Sequence, residues 1–329
     1  MQRIDRTIAF TGPFGELCAD YIQKNRALGY KYRIEETYLK QFDNFCIGKA
    51  QKGQPITKEL FDMWTTKRVY ESPTTHKLRF TILAKFCIFL NAAEIEAYTG
   101  FHPIKRDRSS RGFAPYIFAK DEMEHFFEAA DAVKPSRVSP LTHLVLPVLF
   151  RMLYSCGLRL SEALNLTLAD VDFKKGLVSV RGTKFDKSRL IPMSESMLAV
   201  SRDYASRVHE FSQDSSFFFP APDKGPFAEC TIYTRYRRIL FEAGIPHGGR
   251  GKGPRLHDFR HTFAVHSLRK LVAEGQDLYV TLPILCGYLG HKSIASTQLY
   301  LRLTAEVYPE LTEQFEKHFG SVFPEVVMP

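Results

Sequence analysis

The reading of the fold turns on Arg255-Leu256-His257-Asp258-Phe259-Arg260-His261-Thr262-Phe263-Ala264. His257 and Arg260 are three apart, so a helix that begins here puts both on one face. Upstream lies Gly157-Leu158-Arg159-Leu160-Ser161-Glu162-Ala163-Leu164. It predicts a tight junction between two helices, with Gly157 ending the first, Ser161 opening the second and Arg159 between them. Between these stretches, Gly176-Leu177-Val178-Ser179-Val180-Arg181-Gly182 alternates in strand fashion. After the polar turn Thr183-Lys184-Phe185-Asp186-Lys187-Ser188 the chain returns as Arg189-Leu190-Ile191-Pro192, a hairpin with Lys184 at its tip. Downstream, Leu289-Gly290-His291-Lys292-Ser293 leads to Thr297-Gln298-Leu299-Tyr300. Taken singly, each feature has a plain structural explanation: a junction arginine bonds a carbonyl, and a hairpin lysine is solvated.

The amino-terminal part reads as a separate helical unit. Thr57 caps a helix through Phe61 and Trp64, and Ser72-Pro73 starts another. In the latter, Leu78, Ile82, Phe86, Phe89 and Leu90 recur at helical spacing and predict one buried stripe. Residues 1–108 carry eighteen basic and twelve acidic side chains, an excess that suits a polyanion. The dozen residues Phe101 to Gly112 hold proline, glycine, serines and basic side chains, the composition of an exposed linker. The expected division is therefore a helical unit over 1–104, a basic linker over 105–112 and a larger domain over 113–329.

The 329 residues suffice for two domains, and 44% apolar composition makes the chain globular. The net charge of +9 and pI near 9.2 favour a polyanionic partner. Arg3, Asp5 and Arg6 stand where a secretory leader would need an apolar run, so none is expected, and Leu141 to Leu158, broken by His143, Pro147 and Arg151, reads as a buried helix instead of a membrane span. The six cysteines form no CxxC pair and read as buried free thiols of a reducing cytosol.

In this order and spacing, the four stretches resemble the tyrosine recombinases, the phage-integrase family of site-specific DNA recombinases. Arg159 matches the family's first catalytic arginine, with Glu162 at the supporting acidic position. Lys184 matches the hairpin lysine, His257 and Arg260 the HxxR box, His291 the late histidine and Tyr300 the nucleophile. The fold this implies is mainly α with a small antiparallel β-sheet: an N-terminal helical core-binding (SAM-like) domain and an α+β catalytic domain.

The chemistry accounts for the residue types. Attack on a phosphodiester adds charge to its non-bridging oxygens, and two fixed guanidiniums, Arg159 and Arg260, can hold them through forked hydrogen bonds. A tyrosine hydroxyl, with an ordinary pKa of about 10, needs its proton taken. His257 is the candidate base. By resemblance, Lys184 protonates the leaving 5′ oxygen, His291 bonds a phosphate oxygen or braces the tyrosine, and Glu162 orients the basic groups. Religation then needs no ATP, and no cofactor or metal is expected. His257 and His261 have HExxH spacing, but Asp258 replaces the glutamate and Arg260 would face a dication, so His261 is expected to be a packed, hydrogen-bonded core residue.

The resemblance implies double-stranded DNA with inverted-repeat sites as partner, a homo-oligomer on DNA working as a tetrameric synaptic complex, no membrane, and a cytoplasmic, nucleoid-associated location. Much of the affinity should be phosphate contact and fall with salt. Gly248 to Pro254 reads as a solvated basic loop, and Leu301, Leu303, Val307, Leu311, Phe315 and Phe319 as an apolar helical face in the tail. The function expected is integration, excision or transposition of a mobile element. The alternatives are resolution of chromosome or plasmid dimers, a type IB topoisomerase, or a DNA-binding protein with a vestigial site.

Overall fold

Thr57 and Ser72 start their helices through the chemistry of their hydroxyls. Thr57 Oγ1 accepts from the Leu60 N–H at 3.3 Å, and Ser72 Oγ accepts from the Thr75 N–H at 3.1 Å. The computed structural model describes residues 10–100, 115–181, 188–249 and 253–291, together with Thr297, Tyr300 and Leu303. The expected linker, Lys184 and the tail beyond Leu303 lie outside the described residues. The chain divides into two units, Met1–Gly112 and Phe113–Pro329.

The first unit packs α1 (Gly15–Ala27), α2 (Arg33–Cys46), α3 (Lys58–Thr65) and α4 (Pro73–Ala92) around one core that includes Phe14, Phe42, Phe61, Trp64 and Phe86. Buried Asp43 accepts from the N–H groups of Gly12 and Phe14 at 2.7 and 2.9 Å, which satisfies the backbone where the chain enters α1. The predicted stripe on α4 holds at Ile82, Phe86 and Leu90 but not at Leu78, which is exposed. Its neighbour Arg79 is buried instead. Arg79 forks Glu71 at 2.8 and 2.7 Å and donates to the Thr66 carbonyl at 2.9 Å. Those bonds from Arg79 hold the Glu71 carboxyl down at about 2. A paired guanidinium thus takes an inward position that periodicity alone assigns to an apolar side chain.

In the second unit the apolar run becomes α6 (Thr142–Ser155), buried along most of its length. Around it lie α5 (Lys120–Asp131), α7 (Leu160–Leu164), α8 (Glu195–Val208) and α10 (Asp258–Ala273), with α9 (Glu229–Glu242) against α5. Phe126 centres an aromatic cluster, its ring centroid 5.3 Å from Phe150 and 5.0 Å from Phe259. Truncating a buried ring such as Phe259 to alanine costs about 3–5 kcal/mol in comparable cores.

The predicted hairpin is present as β2 (Leu177–Val180) and β3 (Arg189–Pro192), antiparallel with Val178 opposite Ile191 and Val180 opposite Arg189. A two-residue strand that the pattern did not disclose, β1 (Val171–Asp172), pairs with β2 on the other side. Val178, Val180 and Ile191 bury the inner face. The described residues are thus mainly helical with one small antiparallel sheet, as the sequence predicts.

A smaller core joins α10 to α11 (Leu278–Leu289) through Val265, Leu268, Leu282, Leu285 and Leu289, and it includes Tyr300 and Leu303. This core carries the tyrosine to the face of α10 that holds the histidines. Among the described residues no helix is long and apolar enough to cross a membrane. Five of the cysteines are buried and free, and burial pushes the Cys46 and Cys87 thiols up to about 12.

Candidate active site

Gly157 ends α6 with φ +57, a left-handed conformation that favours glycine, and a Cβ there would meet the Phe263 ring at 2.6 Å. The helix that follows opens differently from the sequence expectation. Arg159 stands at its N-cap and Ser161 lies inside α7. The Glu162 side chain does the capping by reaching back to the Arg159 N–H at 2.9 Å. The other Glu162 oxygen accepts from Arg159 Nη1 at 2.7 Å. Glu162 therefore braces Arg159 from both its backbone and its side chain.

Arg189, the first residue of β3, binds the same carboxylate. Its Nη1 and Nη2 reach Glu162 Oε1 and Oε2 at 3.0 and 2.8 Å, and its Nε donates to the Tyr288 carbonyl at 2.9 Å. Burial alone would raise the Glu162 carboxyl; the Arg189 fork, the Arg159 N–H and both charges bring it down to about 2.

His257 and Arg260 sit at the start of α10, His257 as the N-cap residue. Arg260 is 1% exposed. Its Nη1 donates to the Gly157 carbonyl at 2.7 Å and its Nη2 to the Leu289 carbonyl. The two arginine stretches and the end of α11 are therefore tied together by one side chain. Burial, then repulsion from Arg159, lowers Arg260 to about 10, so it stays charged at neutral pH.

Tyr300, 2% exposed, shares a hydrogen bond of 3.0 Å with His261 Nδ1. His261 is held down at about 3, first by burial and then by His257 and the nearby arginines. It is therefore neutral, and in the tautomer with its proton on Nε2 its Nδ1 accepts from the tyrosine hydroxyl. Burial raises the Tyr300 pKa, while Arg260 and Arg159 pull in the other direction. His257 stands edge-on to His261 with ring centroids 4.7 Å apart. The protein packed around it, then Arg260 and Arg159, lower its pKa, although the residue keeps an open side to solvent.

His291 follows Gly290, stacks nearly parallel to the Tyr300 ring at 5.8 Å, and pairs through Nδ1 with buried Thr297 Oγ1 at 2.9 Å. Desolvation, then Arg260 and Arg159, bring His291 down to about 4.

Of the sequence candidates, Arg159, Glu162, His257, Arg260, His291 and Tyr300 belong to one cluster, and Lys184 lies outside the described residues. Sequence reasoning missed two members. His261 was expected as a packed, hydrogen-bonded core residue, and its bond is to the tyrosine hydroxyl, which places it in the site; its i+4 spacing from His257 was the available signal. Arg189 was legible only as the start of a strand. Among the described residues no group of three or more His, Cys, Asp or Glu side chains converges as a metal site.

Residues 117–306 match the model of the Phage integrase family. A Sinorhizobium fredii protein classed as an integrase/recombinase, y4rB, is 33% identical over 93% of this chain and 98% of its own length. The tyrosine recombinase XerD of Rhizobium meliloti is 26% identical, covering 71% of this chain and 72% of its own. Among solved structures, the Tn1549 transposon integrase in complex with transposon right end DNA aligns at a TM-score of 0.61 over 91% of this chain and 98% of that chain, at 16% identity, a likeness of fold. A family match across more than half of the chain, and a relative a third identical along nearly all of it, establish that this chain belongs to the phage integrase family, the tyrosine recombinases that cleave and rejoin DNA by transesterification.

Proposed function

We propose that this protein is a site-specific recombinase that cuts DNA through a 3′-phosphotyrosine at Tyr300 and serves a mobile element in integration, excision or transposition. The observation that carries the reading is the buried Tyr300 hydroxyl, 3.0 Å from a neutral imidazole and within the field of two arginines. Tyr300 Oη attacks the scissile phosphorus and the bond to the 5′ oxygen breaks. Arg159 and Arg260 stabilise the charge added to the non-bridging oxygens, and fixed donors aimed at developing charge usually contribute more to the rate than any other single effect.

The hydroxyl proton passes to His261, the imidazole in contact. His257, at the start of α10 and close in charge to both arginines, faces the phosphate. Lys184 is the acid for the departing 5′ oxygen. The ester conserves the energy of the broken bond, so the reverse attack by a 5′ hydroxyl reseals the strand, or exchanges it when the hydroxyl belongs to a second duplex. The partner is double-stranded DNA bearing inverted repeats, gripped by the helical unit and the catalytic domain of each copy in a tetramer. Similarity to an integrase/recombinase along nearly the whole chain favours a mobile element. Similarity to XerD keeps resolution of chromosome dimers as the second reading.

The test uses a duplex whose nick beside the scissile phosphate lets the cleaved end diffuse away. The wild-type protein should accumulate a covalent adduct on inverted repeats flanking its own gene, and Tyr300→Phe should form none. An adduct retained by Tyr300→Phe would remove Tyr300 from its role. Supercoil relaxation without any site requirement would indicate a topoisomerase instead.

A further inference from the structure

Arg189 lies outside the set of residues that the chemistry above employs, yet its contacts run directly into that set. Its side chain is 11% exposed, against 37% for Arg159. Two of its nitrogens fork both oxygens of Glu162, and its Nε holds the Tyr288 carbonyl at the end of α11. The neighbouring carbonyl, Leu289, is held by Arg260. Gly290 follows with φ +64, and a Cβ there would lie 3.0 Å from Arg189 Nη1, so the guanidinium packs directly against the backbone that leads to His291.

The geometry of the carboxylate gives this contact a consequence. A fork fixes a carboxylate's plane as well as its position. Glu162 Oε1, held in that plane by Arg189, is also the acceptor for Arg159 Nη1 at 2.7 Å. Arg159 is the more open of the two arginines, and a long side chain in that setting keeps one direction best when a fixed partner holds it. Released from Arg189, Glu162 would still cap the Arg159 N–H, but its side chain would be free to turn.

We infer that Arg189 is a positioning residue: acting through Glu162, it sets the direction in which the Arg159 guanidinium meets the scissile phosphate. This rests on the reading of Tyr300 as the nucleophile. It separates Arg189 from a general structural role, because its effect must depend on the charge that Arg159 neutralises.

The experiment is single-turnover cleavage of the nicked duplex by wild-type, Arg189→Gln, Arg189→Lys, Arg159→Ala and the Arg159→Ala/Arg189→Gln double variant. Each is run on a normal phosphodiester and on a methylphosphonate at the scissile position, a linkage without the anionic oxygen. Arg189→Gln should bind the duplex as wild type does and cleave the phosphodiester about a hundredfold more slowly, the usual cost of a small misplacement of a catalytic group. On the methylphosphonate its loss should shrink to about a few-fold. Arg189→Lys, which keeps the charge without the fork, should recover only a minor part. In the Arg159→Ala background, Arg189→Gln should add little.

Equal losses on both linkages, or fully additive losses with Arg159→Ala, mark a structural role and overturn the inference. So does an Arg189→Gln protein that cleaves normally. If Arg189→Gln does not fold by circular dichroism, Arg189→Lys carries the same comparisons. A wild-type protein that forms no adduct overturns the reading of Tyr300, whereas an active wild type with insensitive Arg189 variants overturns this inference alone.

Discussion

Replacing Glu162 with glutamine removes the one negative charge to which both Arg159 and Arg189 are bound. A carboxyl drawn from 4.5 down to about 2 corresponds to about 3 kcal/mol of preference for the charged form in the folded protein. Little of this is lost to solvent screening on the Arg189 side, since Glu162 is 8% and Arg189 11% exposed. The arm from Arg159, more than a third exposed, contributes the smaller share.

The sign follows from the direction of the shift. The folded-state value is depressed, so the stabilisation is fully present above the unfolded value near 4.5 and fades as pH falls towards 2. Glu162→Gln should therefore be less stable than wild type by about 3 kcal/mol at pH 7 and by about 2 kcal/mol at pH 3.5. The assay is guanidinium denaturation followed by far-ultraviolet circular dichroism at both pH values. The single tryptophan, Trp64, lies in the other unit, so its fluorescence reports the wrong transition. A gap below about 1 kcal/mol at pH 7, or one that widens as the solution is acidified, refutes the reasoning.

Two further outcomes follow from the same cluster. Gly290→Ala places a Cβ at φ +64 and 3.0 Å from an Arg189 guanidinium that its bonds to Glu162 and Tyr288 prevent from yielding. It should cost about 1–2 kcal/mol from the backbone alone and slow adduct formation; unchanged melting and cleavage would show that the guanidinium gives way. Because His261, the proposed base, is held at about 3, it is neutral throughout pH 6–8. Single-turnover cleavage should therefore fall less than about twofold from pH 8 to pH 6, and a steep loss centred near 6.5 would contradict this assignment of the base.

The helices α3 and α4 of the first unit were legible because caps and apolar spacing are local properties. Thr57 and Ser72 announce their helices through side chains that reach only three residues ahead. Leu78 and Arg79 were not legible, because a carboxylate arriving from the preceding loop made the inward position polar. Local periodicity does not report a partner that comes from elsewhere.

The same distinction divides the site. Arg159, Glu162, His257, Arg260, His291 and Tyr300 were readable because their order and spacing resemble the tyrosine recombinases, and order and spacing are properties of the linear chain. Their assignments to one another were not readable. That His261 and not His257 meets the tyrosine depends on how the small core of α10 and α11 carries Tyr300 over the helix, at a separation of thirty-nine residues. That Arg189 holds Glu162 depends on the pairing of β3 with β2, which returns the strand to the start of α7. Sequence determined which chemistry is available at Tyr300. Tertiary structure decided which imidazole meets the Tyr300 hydroxyl and which guanidinium holds Glu162, because a hydrogen bond is made by angstroms and angles that only packing sets.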